Sequence, residues 1–165
     1  MSAAVLASIS FHSILVFIHV TATVVGLGAT FALAVGFPLA VRVADPRGLL
    51  FVHRLSLEVT RKLASPALLV ILITGIWQAA DGDFDFGALW ISAAFVIVIV
   101  LGALQGAYFT RTDRKLIAMV ERELAAGATK LSAEYQKEAG REGGMGALAG
   151  LLIVVAVFLM VTKPG

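Results

Sequence analysis

The sequence predicts an all-α protein, a four-transmembrane-helix bundle with a cytoplasmic amphipathic helix between spans three and four. Three observations predict it. Of 165 residues, 59% are hydrophobic and only 15% charged, with a mean hydropathy of +0.95, where a soluble domain is about half apolar and about a quarter charged. Four stretches carry no Asp, Glu, Lys or Arg: Met1–Val41, Leu63–Ala80, Phe86–Thr110 and Gly143–Thr162, of 41, 18, 25 and 20 residues. About 20 apolar residues cross a hydrocarbon core of ~30 Å, so each meets or approaches a membrane span. The charges, finally, are confined to the segments between them. A soluble core of four helices would need polar outer faces, and residues 91–100, Ile-Ser-Ala-Ala-Phe-Val-Ile-Val-Ile-Val, have none. With no cysteine, disulfide scaffolds, thiolate metal sites and cysteine nucleophiles are excluded.

The first span is placed at about 12–40. Residues 1–10 carry no basic side chain and the apolar run is too long for a signal peptide, so it is read as a retained span. Pro38 and the Asp45-Pro46-Arg47-Gly48 turn end it. The second helix begins near Leu49, with Glu58 and Lys62 as an i,i+4 pair on its polar first turns. Its span covers about 63–80, with a kink expected at Ser65-Pro66. Asp81, Asp83 and Asp85 crowd the short turn that follows, and Trp77 and Trp90 flank it where an aromatic belt would sit. The third span is placed at about 87–110 and the fourth at about 144–162. Between them, in the segment 111–143, Asp113 would cap a helix carrying Leu116, Val120 and Leu124 at i,i+4 spacing. That helix either lies on the anionic inner surface or continues the third span. Gly127 and the stretch Gly140–Gly146 interrupt the chain before span four. Gly102-Ala-Leu-Gln-Gly106 and Gly146-Ala-Leu-Ala-Gly150 are small-xxx-small motifs at matching depth, which points to contact between spans three and four or to a second subunit.

Twelve of the thirteen basic residues lie in 42–62 and 111–141, and only Lys163 lies elsewhere. The positive-inside rule makes those segments cytoplasmic. The expectation is therefore a multi-pass protein of a bacterial cytoplasmic (inner) membrane, with both termini outside the cytoplasm. Its partners are the lipid bilayer and either further copies of itself, as a homo-oligomer, or a larger membrane complex. Nucleic acid is no partner for a chain this apolar.

Ionisable side chains inside a span are costly and are functional candidates by default. His12 and His19 share one face of the first span, His19 roughly 10 Å deeper, and Gly26 continues the stripe. A histidine beside a glycine is a candidate haem ligand, and imidazole also binds copper or zinc or relays protons. The plain alternative for either histidine is a hydrogen bond to a neighbouring helix, with Thr74 and Gln78 at similar depth. His53 reads as a surface residue. Arg61, Lys62 and Glu58 stand at the mouth of the second span, as anchors for propionates or lipid phosphates or as ordinary interfacial charges. Gln105 is the one amide deep in the third span. No phosphate-binding glycine loop, His-Glu-x-x-His or Gly-x-Ser-x-Gly motif is present.

Phe17-Ile18-His19-Val20, Arg61-Lys62-Leu63-Ala64-Ser65-Pro66-Ala67 and Leu72-Ile73-Thr74-Gly75-Ile76-Trp77 form a pattern over roughly residues 14–115. It resembles the superfamily of small bacterial membrane proteins related to copper-resistance protein D, which includes uncharacterised integral membrane proteins and HemJ-type protoporphyrinogen oxidases. The resemblance implies haem b as cofactor, with His19 as ligand and Arg61, before Ser65-Pro66, beside it. The HemJ-type enzymes also carry a His-x-Lys element at the start of the third span. Here Leu89-Trp90-Ile91-Ser92 stands in its place, so the likeness is greatest to the uncharacterised branch and the expectation leans away from an enzyme. The reading is a small membrane protein binding haem or a metal through His19, with His12 as a second metal candidate. The alternative is an accessory subunit of a larger complex, without chemistry of its own.

Overall fold

The computed structural model describes residues 10–43, 45–82 and 86–164. It consists of four long helices: α1 (Phe11–Arg42), α2 (Pro46–Asp81), α3 (Leu89–Ala125) and α4 (Ala133–Thr162), all long and apolar enough to cross a membrane. No strand occurs among the described residues. They run up, down, up, down, each beside its sequence neighbour, and α4 closes the bundle against α1.

The starts and stops follow local chemistry. Ser10 caps α1 by accepting the Ser13 N–H, and Asp45 caps α2 by accepting the Arg47 N–H (3.0 Å) with Pro46 in the first position. α3 ends at Gly127, whose φ of +80° a side chain would strain. Ser132 then caps α4 by accepting the Tyr135 N–H, and is itself held by Glu123, which accepts both its N–H (2.7 Å) and its hydroxyl (2.6 Å).

Several expected boundaries move. α1 passes through Pro38 rather than stopping there, as helices that pack inside a membrane tolerate, and α2 starts at Pro46 rather than near Leu49. The segment after the third span follows the second of its two expected alternatives. It continues α3 to Ala125, and its apolar side, Leu116, Met119 and Val120, is buried against Leu49 and Tyr135 rather than against lipid. α4 runs unbroken through the glycines at 140–146. Only Gly127 interrupts the chain there. Of the two tryptophans, Trp77 is half-exposed but Trp90 is buried, with the Lys163 ammonium 5.8 Å from its ring centre. Asp83 lies outside the described residues, as does Asp85.

α3 and α4 do touch, but through Val98, Leu101, Ala149 and Ile153. Gly102, Gly106 and Gly146 face open space, and Gly150 meets Phe31 of α1. The glycine that a close approach requires is Gly26: a Cβ there would fall 2.0 Å from the Cβ of Ala67.

Helices α2 and α3 are longer than a membrane needs. At 1.5 Å per residue, 36 and 37 residues run about 54–56 Å against a core of about 30 Å. The excess lies at the end that carries the basic residues, here the basic end. The opposite end, holding Asp81, is the acidic end. Two apolar layers fill the bundle. Leu27, Leu68, Ile71, Val98, Leu101, Ala149 and Ile153 form the layer between the spans. Leu49, Leu116, Met119, Val120 and Tyr135 form the one at the basic end. Each of α1, α2 and α3 contains one wide π-type turn, at Thr23–Leu27, Thr60–Ala64 and Leu104–Phe109. The one in α2 directly precedes Pro66, and the Ser65 N–H reaches back to the Thr60 carbonyl. Such turns re-aim the side chains around them and recur at functional sites. The second packs against both others.

A buried polar centre at the basic end

Between the two apolar layers lies a cluster of buried polar groups. His53 and Ser56 come from α2, Asp113 from α3, and Tyr135 and Glu142 from α4. His53, Ser56 and Asp113 belong to the buried stripes of their helices: along α2 the stripe reads Leu49, His53, Ser56, Thr60, Ala64, Leu68, Ile71, at steps of three and four.

His53 is the hub, fully buried, with the Phe37 ring of α1 at 5.1 Å and the Tyr135 ring edge-on at 5.8 Å. Its Nδ1 lies 3.3 Å from Asp113 Oδ1 and 3.6 Å from Glu142 Oε2, and its Nε2 lies 2.9 Å from Tyr135 Oη. The Ser56 hydroxyl donates to Asp113 Oδ2 at 2.9 Å. Thus Asp113 is no helix cap, and His53 is no surface residue. Glu142 is 7% exposed, and its Oε1 is the one buried side-chain polar atom among the described residues without a hydrogen-bond partner. An orphaned buried oxygen of this kind costs about 1–3 kcal/mol, which makes it a feature to be explained. Burial, and next the carboxylate of Asp113, push the Glu142 carboxyl well above the usual carboxylate range. Burial, with Glu142 and Glu123 adding to it, pushes the Tyr135 phenol up to about 12.

One nitrogen of His53 and one oxygen each of Asp113 and Glu142 lie within 4.8 Å of one another. An ion bonded at about 2.0–2.2 Å in tetrahedral or octahedral geometry sets its donors about 3.0–3.5 Å apart. Of the observed separations from Nδ1, 3.3 Å lies inside that range and 3.6 Å just above it.

The sites expected in the first span are arranged otherwise. His12 Nδ1 meets Asp81 Oδ2 at 2.8 Å at the acidic end, with both side chains partly exposed. His19 Nδ1 meets Thr74 Oγ1 at 2.8 Å, one of the two partners expected from its depth. The imidazole lies beside Gly75, where a Cβ would come 3.5 Å from its Cε1. The room beside Gly26 is taken by Ala67, so it offers no gap for a macrocycle. Arg61 is exposed, thirteen residues before Thr74 on α2 and so about 20 Å from the level of His19. His19, Gly26 and Arg61 do not converge on one site. Lys62 pairs with Glu58 as the spacing implied. Thr74→Val is expected to cost about 0.5–1.5 kcal/mol by removing the His19 contact, measured as a shift in detergent unfolding against the parent protein.

A family model described as a predicted integral membrane protein, DUF2269, matches residues 13–164. The chain belongs to that family. Comparison with curated proteins and with solved structures gives no match. All five members of the buried centre of this DUF2269 protein fall within the matched residues.

The signal that sequence reading missed is the continuity of those stripes. His53 lies four residues from Leu49 and three from Ser56, and Asp113 three from Leu116, so each sits on the apolar face of its helix although its neighbours in sequence are charged.

Proposed function

We propose that this protein is a metal-binding membrane protein that holds one borderline divalent cation at the basic end of the bundle. The ligands are Nδ1 of His53 and the carboxylates of Asp113 and Glu142. The observation that carries the reading is the inward-facing Glu142, nine-tenths buried and with one oxygen unpartnered, beside two further donors at ligand spacing. Two carboxylates and a neutral imidazole balance a 2+ charge, which is what makes burial of such a set affordable in a dry site. One nitrogen and several oxygens without sulfur suit ions of the Mn2+, Fe2+ and Zn2+ kind, whereas Ca2+ prefers six to eight oxygens. Ser56 and Tyr135 serve as the outer partners that orient Asp113 and His53. The positive-inside rule supports a cytoplasmic position for this end, which we read as lying on the inner side of a bacterial inner membrane.

The test is calorimetric titration of chelator-stripped, detergent-purified protein with Zn2+ and Mn2+. One ion per chain is expected, with affinity reduced in Glu142→Gln by at least the roughly 10–100-fold that loss of an outer partner costs and unchanged in His12→Ala. Absence of stoichiometric binding, or equal affinity in Glu142→Gln, would overturn the reading.

A second reading keeps His19 as a ligand for haem or a metal ion. The hydroxyl hydrogen of Thr74 is spent on the Val70 carbonyl (2.6 Å), so Oγ1 accepts from His19 Nδ1–H and the lone pair remains on Nε2. That arrangement, and the likeness of the His19 segment to the copper-resistance-D-related proteins, support it. A Soret band that appears on adding haem and vanishes in His19→Ala is its expected signature. A colourless protein under those conditions sinks it.

A further inference from the structure

The helix that supplies Glu142 is weak where it supplies it. Four of the seven residues from 140 to 146 are glycine, and each weakens a helix interior about four- to five-fold relative to alanine. Nothing lies within 4 Å of where a Cβ would stand at Gly140, Gly143, Gly144 or Gly146, so no close approach demands them. Tertiary contact does little to compensate. Between Gln136 and Met145, Glu142 is the one buried residue. The other ties are Ala139, partly buried against the apolar layer at the basic end, and the Lys115–Glu138 pair at 3.0 Å, whose lysine is half-exposed, and exposed pairs contribute little. The two firm anchors of this stretch, Tyr135 and Glu142, are both members of the buried polar centre.

We infer that occupation of the His53–Asp113–Glu142 centre and helicity of residues 136–146 are one coupled equilibrium, so that a bound divalent cation acts as the latch of the basic end. This rests on the metal-binding reading above. With the ion in place, Glu142 is tied to α2 and α3 and the glycine stretch stays helical. Without it the stretch opens locally, one pair of peptide groups after another, because little else opposes backbone entropy there. Opening removes a ligand from the centre, so metal affinity is set by the fraction of molecules in which the stretch is helical. The glycines are then what makes the site responsive: alanines in their place would hold the ligand in position permanently.

The experiment is hydrogen exchange of the full-length protein in detergent, chelator-stripped and with Zn2+, on the parent, Glu142→Gln and the triple variant Gly140→Ala/Gly143→Ala/Gly144→Ala. In the parent, Zn2+ is expected to slow exchange across 136–146 at least ten-fold, and Glu142→Gln is expected to lose that protection. The triple variant is expected to be protected without metal and to bind Zn2+ about ten-fold or more tightly, within the roughly 100-fold that three such replacements supply. Stoichiometric Zn2+ binding with unchanged exchange, or parent affinity in the triple variant, overturns the latch and leaves the metal site standing. No Zn2+ binding in any variant overturns both.

Discussion

Replacing Gly26 with alanine is expected to destabilise the bundle by about 2–4 kcal/mol, the upper part of the range for overpacking. The added methyl would stand 2.0 Å from the Cβ of Ala67, whereas carbons in contact keep about 3.5–4.0 Å. Neither group is the free end of a flexible chain, so α1 and α2 must part by well over an ångström. Alanine's better helix propensity returns at most about 1 kcal/mol, and the clash wins. Parting the helices there also disturbs Leu27, in the apolar layer, and the His19–Thr74 contact two turns away. Removing the opposing methyl restores the fit, so Gly26→Ala/Ala67→Gly is expected to recover most of the loss. Unfolding in mixed detergent, followed by circular dichroism, measures all three variants. A single variant within 0.5 kcal/mol of the parent (roughly the scatter of neutral substitutions) would mean that the helices do not cross at this point.

Asp113→Ala is expected to cost about 2–5 kcal/mol in chelator-stripped protein, because it strands two buried groups at about 1–3 kcal/mol each. Asp113 is fully buried and accepts from Ser56, with His53 at 3.3 Å. Truncation leaves the Ser56 hydroxyl and the His53 imidazole, both buried, short of an acceptor. Asp113→Asn keeps a carbonyl oxygen for Ser56 and is expected to cost less than half as much. The same unfolding assay checks both. Were alanine and asparagine to cost the same, the centre would be wetter than its burial indicates. Working without metal separates this structural cost from any loss of ion binding.

The four long apolar helices were legible because lipid imposes a simple requirement. A segment in hydrocarbon must satisfy its own backbone and carry no charge, and runs such as 91–100 announce that locally. The buried centre was not legible in the same way. His53 is followed by Arg54, and Asp113 is flanked by Arg111 and Arg114, so both segments read as solvated. What buries them is the continuation of α2 and α3 about four to five turns beyond the length a membrane needs, where they meet each other and the start of α4. The apolar residues Leu49, Leu116 and Val120 recorded that meeting at helical spacing, but spacing on one helix does not say which helix covers it. Glu142 is harder still: it sits among glycines, on a stretch with no apolar stripe.

By itself the sequence determined that the chain is four hydrophobic helices with their basic residues gathered at one end, since both follow from one-dimensional counts of charge and hydropathy. Only the tertiary structure decided that the extensions pack on one another rather than on the membrane. It also placed Ala67 in the gap beside Gly26 and turned one histidine and two carboxylates from three helices towards a single point. Convergence of that kind is a property of crossing angles and helix rotation, which residues far apart in the chain set jointly and no local pattern encodes.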